Sequence, residues 1–528
     1  MNILMLSEAP YPEHGGGAGR FSYLLARQLV RQGHNVHLLW CGSRESRPPY
    51  SLDGIQVHKL PDLFDEGIAP RDVEHLTAKN LLDYIEANIP MASVDVVHDT
   101  CGFFSYFFPL AHWLQQLYCV PVITHFEYLQ YQNEMPFLGL LNPSGMVYLF
   151  FEEKRYETPQ CFATRIANRI VCPSKSEAEF VQRIYSPPPG SLVVMPNPVE
   201  LFSPLPESVA ATREKLARSG ERLILFGGRI GSHQKNSPAV LGAVRRLRVK
   251  HPEVRLVLAT YDEEEVERYR RTLGEAVTPV GWIRDAKEMA QILAAVDVVV
   301  MPSVYESFGQ MASEAMAVGT PVVVSPVGAM PELIRDGENG FILGPDPRQW
   351  EQELRGRLVT LLEDADRARA MGKEGRRTVE STITVERVTE QLEELYGELA
   401  DMPRSRRKEL ALPVLGPEQR ETYLRRLSSL GAGEARRAGE SVLAHWPDTV
   451  ERRCLTCSHH RIAADTQTLV RLPRERFWNW LPWWPSRSET VNDAVTRACP
   501  LALLQKEHLR TGRFHPFSLK QIIKMGLS

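Results

Sequence analysis

Residues 302–325 read PSVYESFGQMASEAMAVGTPVVVS, which places a polar loop and a helical pattern between two short apolar runs. The runs DVVVMPS (297–303) and PVVVSPV (321–327) are typical of strands buried on both faces. A strand–helix–strand unit of this kind indicates a parallel sheet, because parallel neighbours need a crossover connection. The stretch therefore predicts an α/β fold in this half of the chain.

Short apolar runs of the same kind form two series along the chain. The first comprises NILMLS, NVHLLWC, IQVHKL, VDVVHD, PVITHF, RIVCPS and LVVMP, and the second comprises RLILFGG, VRLVLAT, VTPVG, DVVVMPS, PVVVSPV and GFILG. Amphipathic helical stretches separate the runs, so each series predicts a parallel, doubly wound sheet. The proline-rich segment at 194–207 is interpreted as a hinge. We expect two Rossmann-like domains, 1–198 and 199–400, facing a central cleft, followed by a small accessory module at 401–528.

The composition is that of an ordinary globular protein with one asymmetry of charge. Hydrophobic residues make up 43% and charged residues 24% of the 528 positions. The net charge of −3 combines about +9 in residues 401–528, from 22 Lys and Arg against 13 Asp and Glu, with about −12 in residues 1–400. Such a basic extension indicates a surface that meets an anionic partner or, more commonly, a solvated basic face.

Three features of the sequence predict a cytoplasmic location. The segment MNILMLSEAP lacks the basic n-region of a secretory signal, and its apolar run is interpreted as a buried strand. The longest apolar tract, at 103–124, is interrupted by Pro109, His112 and two glutamines, which argues against a transmembrane helix. The eight cysteines are mostly single and lie in apolar runs, as expected of reduced thiols.

The quoted stretch also carries two carboxylates at a helical spacing. Glu306 lies in the loop after a strand, and Glu314 lies about two turns into the helix that begins near Gly309. The amides around Phe308 and Gly309 would form an anion site at the helix start. The two carboxylates suit hydroxyl donors, such as those of a sugar and a ribose. The alternative is an ordinary helix with an exposed glutamate.

Two cations follow another strand of the same series. In LFGGRIGSHQKN (225–236), two glycines end the strand, and Arg229 and Lys235 lie six residues apart in the loop. Two cations beside glycines, whose backbone is not covered by side chains, can neutralise the charge of a diphosphate. Taken alone, each is more commonly a surface charge, so the prediction depends on the carboxylates nearby.

A third glycine-rich loop follows the N-terminal strand, in HGGGAGR (14–20). The dinucleotide fingerprint Gly-x-Gly-x-x-Gly would use Gly15 and Gly17, but its last glycine is Arg20, so the fingerprint fails. The glycines still let a large group approach the backbone, and the following helix start favours an anion. A flexible strand-to-helix turn is the alternative.

Taken together, these motifs resemble the family 4 retaining glycosyltransferases of GT-B fold over residues 1–400. The resemblance rests on the glycine cluster with GHNV, on VITHF, on GGR followed by a lysine, on VGW and on ESFGQMASE, the family's Glu-x7-Glu signature. Two departures stand out: NPVE (197–200) replaces the usual Asn-Gly-Val-Asp, and the first glycine cluster is one residue richer than usual.

The resemblance implies a donor site for a nucleoside diphosphate sugar and an acceptor of unknown kind. It implies that Arg229 and Lys235 hold the diphosphate, Glu306 the sugar hydroxyls and Glu314 the ribose. The VGWIR loop with Ile283 would line the base pocket, and His125 would lie near the transferred sugar. Gly16 and Gly17 would approach the donor diphosphate or the acceptor. It also implies front-face displacement without a catalytic cofactor or metal. A phosphorylase or epimerase of the same fold and a silent nucleotide- or glycan-binding scaffold are the alternatives.

The extension at 401–528 carries a cysteine motif. Cys454 and Cys457 form a C-x2-C pair followed by His459, and Cys499 is a third thiol further along. The three cysteines with His459 suit a structural zinc ion or an iron–sulfur cluster, and His460, His508 and His515 are alternatives for the fourth ligand. A redox or incidental thiol pair is the other interpretation.

A tryptophan-rich segment, RFWNWLPWWPSR (476–487), lies in the same extension. Its four tryptophans between arginines suit a peripheral membrane contact, a glycan or protein contact, or the extension's own core. No recognition motif for nucleic acid accompanies the basic charge, so none is expected as a partner.

Overall fold

The computed structural model describes residues 1–11, 17–41, 47–60, 81–100, 107–126, 164, 167–185 and 187–402. The described residues form two largely parallel sheets with helices on their faces, as predicted. The predictions for Gly16, for the group of Cys454, Cys457, Cys499 and His459, and for the tryptophan-rich segment lie outside the described residues.

The first sheet has eight strands in the order β3-β4-β2-β1-β5-β6-β7-β8. Their bounds are β1 Asn2–Ser7, β2 Asn35–Cys41, β3 Arg47–Leu52, β4 Ile55–Leu60, β5 Val96–Asp99, β6 Val122–His125, β7 Arg169–Cys172 and β8 Leu192–Val194. All neighbours are parallel except β3, which pairs with β4 in the antiparallel direction. β3 (RPPYSL) was not predicted from the sequence, and its prolines are tolerated because it is an edge strand.

The second sheet has six parallel strands in the order β11-β10-β9-β12-β13-β14. Their bounds are β9 Arg222–Gly227, β10 Val254–Ala259, β11 Val277–Pro279, β12 Val298–Met301, β13 Val322–Val324 and β14 Phe341–Ile342. Each strand is a run of mostly β-branched or aliphatic residues, which are favoured where both faces of a sheet are covered.

Helices connect the strands and cover both sheets. On the first half they are α1 Gly17–Arg31, α2 at 81–88, α3 Phe107–Tyr118 and α4 Lys175–Tyr185. On the second they are α5 Pro206–Leu216, α6 Ser237–Leu247, α7 Glu263–Leu273, α8 Ala286–Ala295, α9 Gln310–Ala317, α10 Met330–Leu333, α11 Trp350–Glu363, α12 Ala365–Thr382 and α13 Val385–Ala400. Short 3-10 turns lie at Met91–Ser93, His233–Lys235, Gly274–Ala276 and Pro347–Gln349.

The last helix, α13, returns to the first sheet. Its apolar face, including Val388, Leu392 and Tyr396, is buried in the same core as α1 and the first sheet. The Tyr396 hydroxyl lies 2.6 Å from Nδ1 of the buried His98 on β5. The chain therefore crosses between the sheets twice, and the crossings are adjacent, since the N–H of Val199 donates to the carbonyl of Ile383 at 2.8 Å.

A buried histidine pair on the outer strands makes folding stability depend on pH. Nδ1 of His37 lies 3.0 Å from Nε2 of His58, whose Nδ1 lies 3.0 Å from the Tyr84 hydroxyl. Burial, reinforced by the neighbouring His37, lowers the pKa of His58 from 6.5 to about 4, and burial also lowers the pKa of His37. Between pH 6.5 and 4 the unfolded chain therefore binds a proton that folded His58 does not, so stability falls as the pH falls.

We expect the His58→Gln variant to lose less stability than the wild type when the pH drops from 7 to 5. Each pH unit between the two pKa values costs about 1.4 kcal/mol, so the difference should be about 2 kcal/mol. Urea unfolding of both proteins at the two pH values measures it. Equal losses in the two proteins would show that His58 does not titrate in this way.

Candidate active site

On the first sheet, a row of side chains lines the carboxyl edge on the face covered by α1. In-register pairing aligns Ser7 with Trp40 and Trp40 with Lys59, and His125 ends β6 at the same edge. Thr100, just after β5, donates its N–H to the carbonyl of Leu6 at 2.9 Å. The carboxyl edge is where ligands bind in open parallel sheets, so this row faces the predicted cleft.

His125 is fully buried within this row. Its ring meets the Phe21 ring edge to face, with centroids 4.5 Å apart, and lies 6.0 Å from the ring of His98 in a stacked orientation. These contacts with α1 and β5 fix the orientation of the imidazole.

On the second sheet, the two predicted loops come together. The Lys235 ammonium forms an ion pair with Oε1 of Glu306, and both side chains are largely buried. The loops are also joined through their backbone, because the N–H of Val304 donates to the carbonyl of Gln234 at 2.8 Å. Gly228 has φ +96°, and a Cβ there would lie 3.2 Å from Cε of Lys235, so a larger residue would crowd the ammonium.

Gly309 precedes the first residue of α9, with φ +107°. A Cβ at this position would lie 2.6 Å from Cε of Met330, so both the backbone and the packing require glycine. The Phe308 side chain is 3% exposed and belongs to the core of the second domain. Phe308 can therefore offer a ligand its backbone but not its ring.

Glu314, on α9, contacts a residue that the sequence analysis did not select. Its Oε1 accepts from Nη1 of Arg20 at 2.7 Å and from the Gln310 side chain at 3.2 Å. Arg20 lies on α1, so this ion pair joins the two halves of the molecule. In the sequence, the only signal at Arg20 is that it breaks the glycine fingerprint.

The remaining predicted residues differ in exposure. Arg229 is exposed, and no described residue forms an ion pair or hydrogen bond with its guanidinium. Ile283 is half-buried against the core of the second domain. Gly17 begins α1, and no atom of the described residues lies within 4 Å of a Cβ placed there, whereas a Cβ at Gly19 would lie 2.1 Å from the carbonyl oxygen of Ala9.

Further contacts hold the two carboxyl edges against each other. The Tyr11 hydroxyl lies 3.4 Å from Oδ2 of Asp285 in the second half. The Ser176 hydroxyl donates to the carbonyl of Gly328 at 3.2 Å, and the N–H of Lys175 donates to the Glu332 carboxylate at 2.7 Å. The two domains are therefore in direct contact.

The described residues lack two further features. No group of three or more His, Cys, Asp or Glu among them is arranged to hold a metal ion. No helix in the described part of the chain is long and apolar enough to cross a membrane.

The two parallel sheets are those of a two-domain α/β protein, and the Arg20–Glu314 ion pair joins the domains. The family model "Glycosyltransferase Family 4" matches residues 15–201, and "Glycosyl transferases group 1" matches residues 221–364. Together the matches cover more than half of the 528 residues. The chain belongs to the family 4 glycosyltransferases, which transfer a sugar from a nucleoside diphosphate donor to an acceptor hydroxyl.

The chain is similar in sequence to individual glycosyltransferases and similar in fold to solved structures. The chain is 29% identical over 373 residues to the D-inositol 3-phosphate glycosyltransferase of Stackebrandtia nassauensis, covering 67% of this chain and 81% of the relative. It is similar in fold to sucrose-phosphate synthase from Thermosynechococcus elongatus, with TM-score 0.61, 22% identity and coverage of 76% and 99%. HepE of Anabaena, solved with UDP-glucose, has TM-score 0.56, 18% identity and coverage of 75% and 100%. The predicted GT-B fold and glycosyltransferase activity are confirmed.

Proposed function

We propose that the donor is a UDP-sugar and that the loops of the second domain bind it. The observation that carries this proposal is the Lys235–Glu306 ion pair beside the glycine-preceded start of α9. A cation and free helix-start amides at one place favour a diphosphate. The uridine base is proposed because a protein of the same fold, HepE, was solved with UDP and with UDP-glucose.

Within this site, each carboxylate keeps one oxygen for a hydroxyl. Oε1 of Glu306 pairs with Lys235, and Oε1 of Glu314 accepts from Arg20 and Gln310. No described residue is hydrogen-bonded to the second oxygen of either carboxylate, so Oε2 of Glu306 can accept from the sugar and Oε2 of Glu314 from the ribose. The exposed Arg229 completes the diphosphate site.

The proposed reaction is a front-face displacement that retains the anomeric configuration. The bond between the anomeric carbon and the leaving phosphate oxygen breaks, and the acceptor oxygen bonds to the same face of that carbon. The acceptor proton passes to the leaving phosphate oxygen. Lys235 and Arg229 stabilise the negative charge that develops on the diphosphate, and His125 orients the sugar from the first domain.

The domain assignment follows from these roles. We propose that residues 1–198 bind the acceptor and residues 199–400 bind the donor, with α13 of the second segment packed on the first sheet. The backbone near Gly16 and Gly17 would then face the donor across the cleft. Closing the domains about residues 194–207 would exclude water and limit hydrolysis of the donor.

Our remaining proposals concern residues 401–528 and are based on the sequence. We propose that Cys454, Cys457, Cys499 and His459 hold a structural zinc ion or iron–sulfur cluster. The basic tryptophan-rich segment at 476–487 would contact a membrane surface or a protein, and the enzyme would act in the cytoplasm.

Thermal unfolding in the presence of UDP, GDP or ADP tests the donor proposal. A ligand at 100 times its dissociation constant adds about 2.7 kcal/mol to stability, which raises the melting temperature measurably. UDP should stabilise the wild type, and release of UDP from UDP-sugars should require an acceptor. Stabilisation by GDP or ADP in place of UDP, or by none of the three, would contradict the proposal.

We expect the Arg20→Ala variant to bind UDP about 5-fold more weakly than the wild type. Arg20 holds one oxygen of Glu314 and so turns the other toward the ribose, and losing one charge-assisted contact costs about 1 kcal/mol. Calorimetric titration with UDP measures the change. Arg31→Ala, an exposed arginine on the same helix, is the matched control. Unchanged or tighter binding by Arg20→Ala would show that Arg20 does not position Glu314.

A further inference from the structure

We propose that the first domain binds an anionic group of the acceptor through Lys59, Trp40 and Ser7. The inference rests on the proposed function, because it places the acceptor on the first sheet. The anionic group is a phosphate or a carboxylate, and it lies on a part of the acceptor that is remote from the hydroxyl that receives the sugar.

The sheet brings the three side chains into one row. Ser7 on β1 is in register with Trp40 on β2, and Trp40 is in register with Lys59 on β4. Two residues earlier, the same strands contribute Met5, Leu38 and Val57 to the core under α1. Since residues two apart share a face of a strand, the three side chains project side by side from the carboxyl edge on that face.

All three are buried hydrogen-bond donors. Ser7, Trp40 and Lys59 are 0%, 4% and 7% exposed. Within the described part of the chain, the Ser7 hydroxyl and the Trp40 Nε1–H have no hydrogen-bond partner. The Lys59 ammonium lies 4.8 Å from the centroid of the Trp40 ring, and none of the ion pairs among those residues includes it.

Buried donors without acceptors are unfavourable, and a buried cation without an anion is more so. The cation–π contact offsets part of the cost for Lys59 but leaves its N–H groups free to donate. The carboxylate next in sequence, Glu8, accepts from the N–H of Gly19 at 2.6 Å and so caps α1. One cation and two neutral donors in a row are complementary to the oxygens of an anion.

The position of the row points to the acceptor. Neighbouring strands are about 4.8 Å apart, and β1 and β4 are two and four strands from β6 in the sheet order. The row therefore extends from about 10 Å to about 19 Å from His125, measured between Cα atoms. A donor diphosphate held by Lys235 on the facing domain would not occupy it. An acceptor that presents its hydroxyl near His125 would occupy the row if its anionic group lay about 10–19 Å from that hydroxyl.

Binding of small anions to the full chain with its donor site filled tests the proposal. The protein is saturated with UDP, and glycerol 1-phosphate or glucuronate is then titrated by calorimetry. We expect one of these probes to bind the wild type. We expect binding about 10-fold to 100-fold weaker in Lys59→Met, largely retained binding in Lys59→Arg, and a smaller loss in Trp40→Phe, which keeps the ring but removes the N–H. The preferred probe distinguishes a phosphate-bearing acceptor from a uronate-bearing one.

Two controls separate this site from the donor site. UDP should bind Lys59→Met as it binds the wild type, which shows that the variant is folded. If UDP does not bind the wild type, the donor proposal fails. The anions are then titrated into Lys235→Met, which lacks the cation of the second domain, so that any binding still tests the site on the first domain. Equal binding of the anions by the wild type, Lys59→Met and Trp40→Phe, or binding of neither probe to the wild type, would overturn the proposal.

Discussion

Replacing Lys235 with methionine is expected to reduce sugar transfer by about 100-fold to 1,000-fold while the protein remains folded. Lys235 is the largely buried cation of the proposed donor site, and its ammonium pairs with Glu306. Removing one preorganised donor from a site where negative charge develops typically costs this much in rate. The variant also leaves the Glu306 carboxylate without its cation, so UDP binding should weaken as well.

The measurement is release of UDP in the presence of saturating donor and of an acceptor, beside the melting temperature without ligand. Lys250→Met is the matched control, because Lys250 is an exposed lysine just after α6 in the same domain. We expect the control to behave as the wild type in both measurements. Full turnover by a folded Lys235→Met would show that the diphosphate is bound elsewhere.

The Gly19→Ala variant is expected to lose about 2–3 kcal/mol of stability. The added Cβ would lie 2.1 Å from the carbonyl oxygen of Ala9, so α1 or the strand end must move. The improved helix propensity of alanine recovers only about 1 kcal/mol of this strain at most. At about 2–4 °C per kcal/mol for a domain of this size, the melting temperature should fall by at least about 4 °C.

Gly17→Ala supplies the comparison two residues away on the same helix. A Cβ at Gly17 meets no atom of the described residues within 4 Å, so stability should stay within about 0.5 kcal/mol of the wild type. Its turnover should nevertheless fall, because the proposed function places a ligand against this backbone. Normal turnover would remove Gly17 from the site, and equal stability of the two variants would contradict the close packing of α1.

Most of the fold could be predicted because each central strand is a short apolar run between helical patterns. The exception, β3, has two prolines and no apolar run, and only its place at the sheet edge makes it a strand. The return of α13 to the first sheet could not be predicted either. An amphipathic pattern shows that Val388 and Leu392 share a buried face, but it does not show which sheet that face covers.

The candidate site could be predicted only where its residues lie in one local sequence motif. Glu306 and Glu314 lie in one local motif, and Lys235 follows a glycine pair that marks its loop. Arg20 is 294 positions from its partner Glu314, and no local pattern connects residues so far apart. Lys59 is the penultimate residue of an ordinary apolar strand, and only the pairing of β4 with β2 places it over Trp40.

The return of the last helix to the first sheet has a consequence for synthesis on the ribosome. The apolar face under α13 belongs to strands that are complete once residue 194 has been made, but its cover is not made until residue 400. At about 5–20 residues per second, roughly 200 further residues take about 10–40 s. During this interval the second domain can fold as a unit. In the nascent first domain, His98, which later contacts Tyr396, and the residues around it stay uncovered. Chaperones would therefore have a defined hydrophobic surface to protect, and fragments ending before residue 385 should need them most.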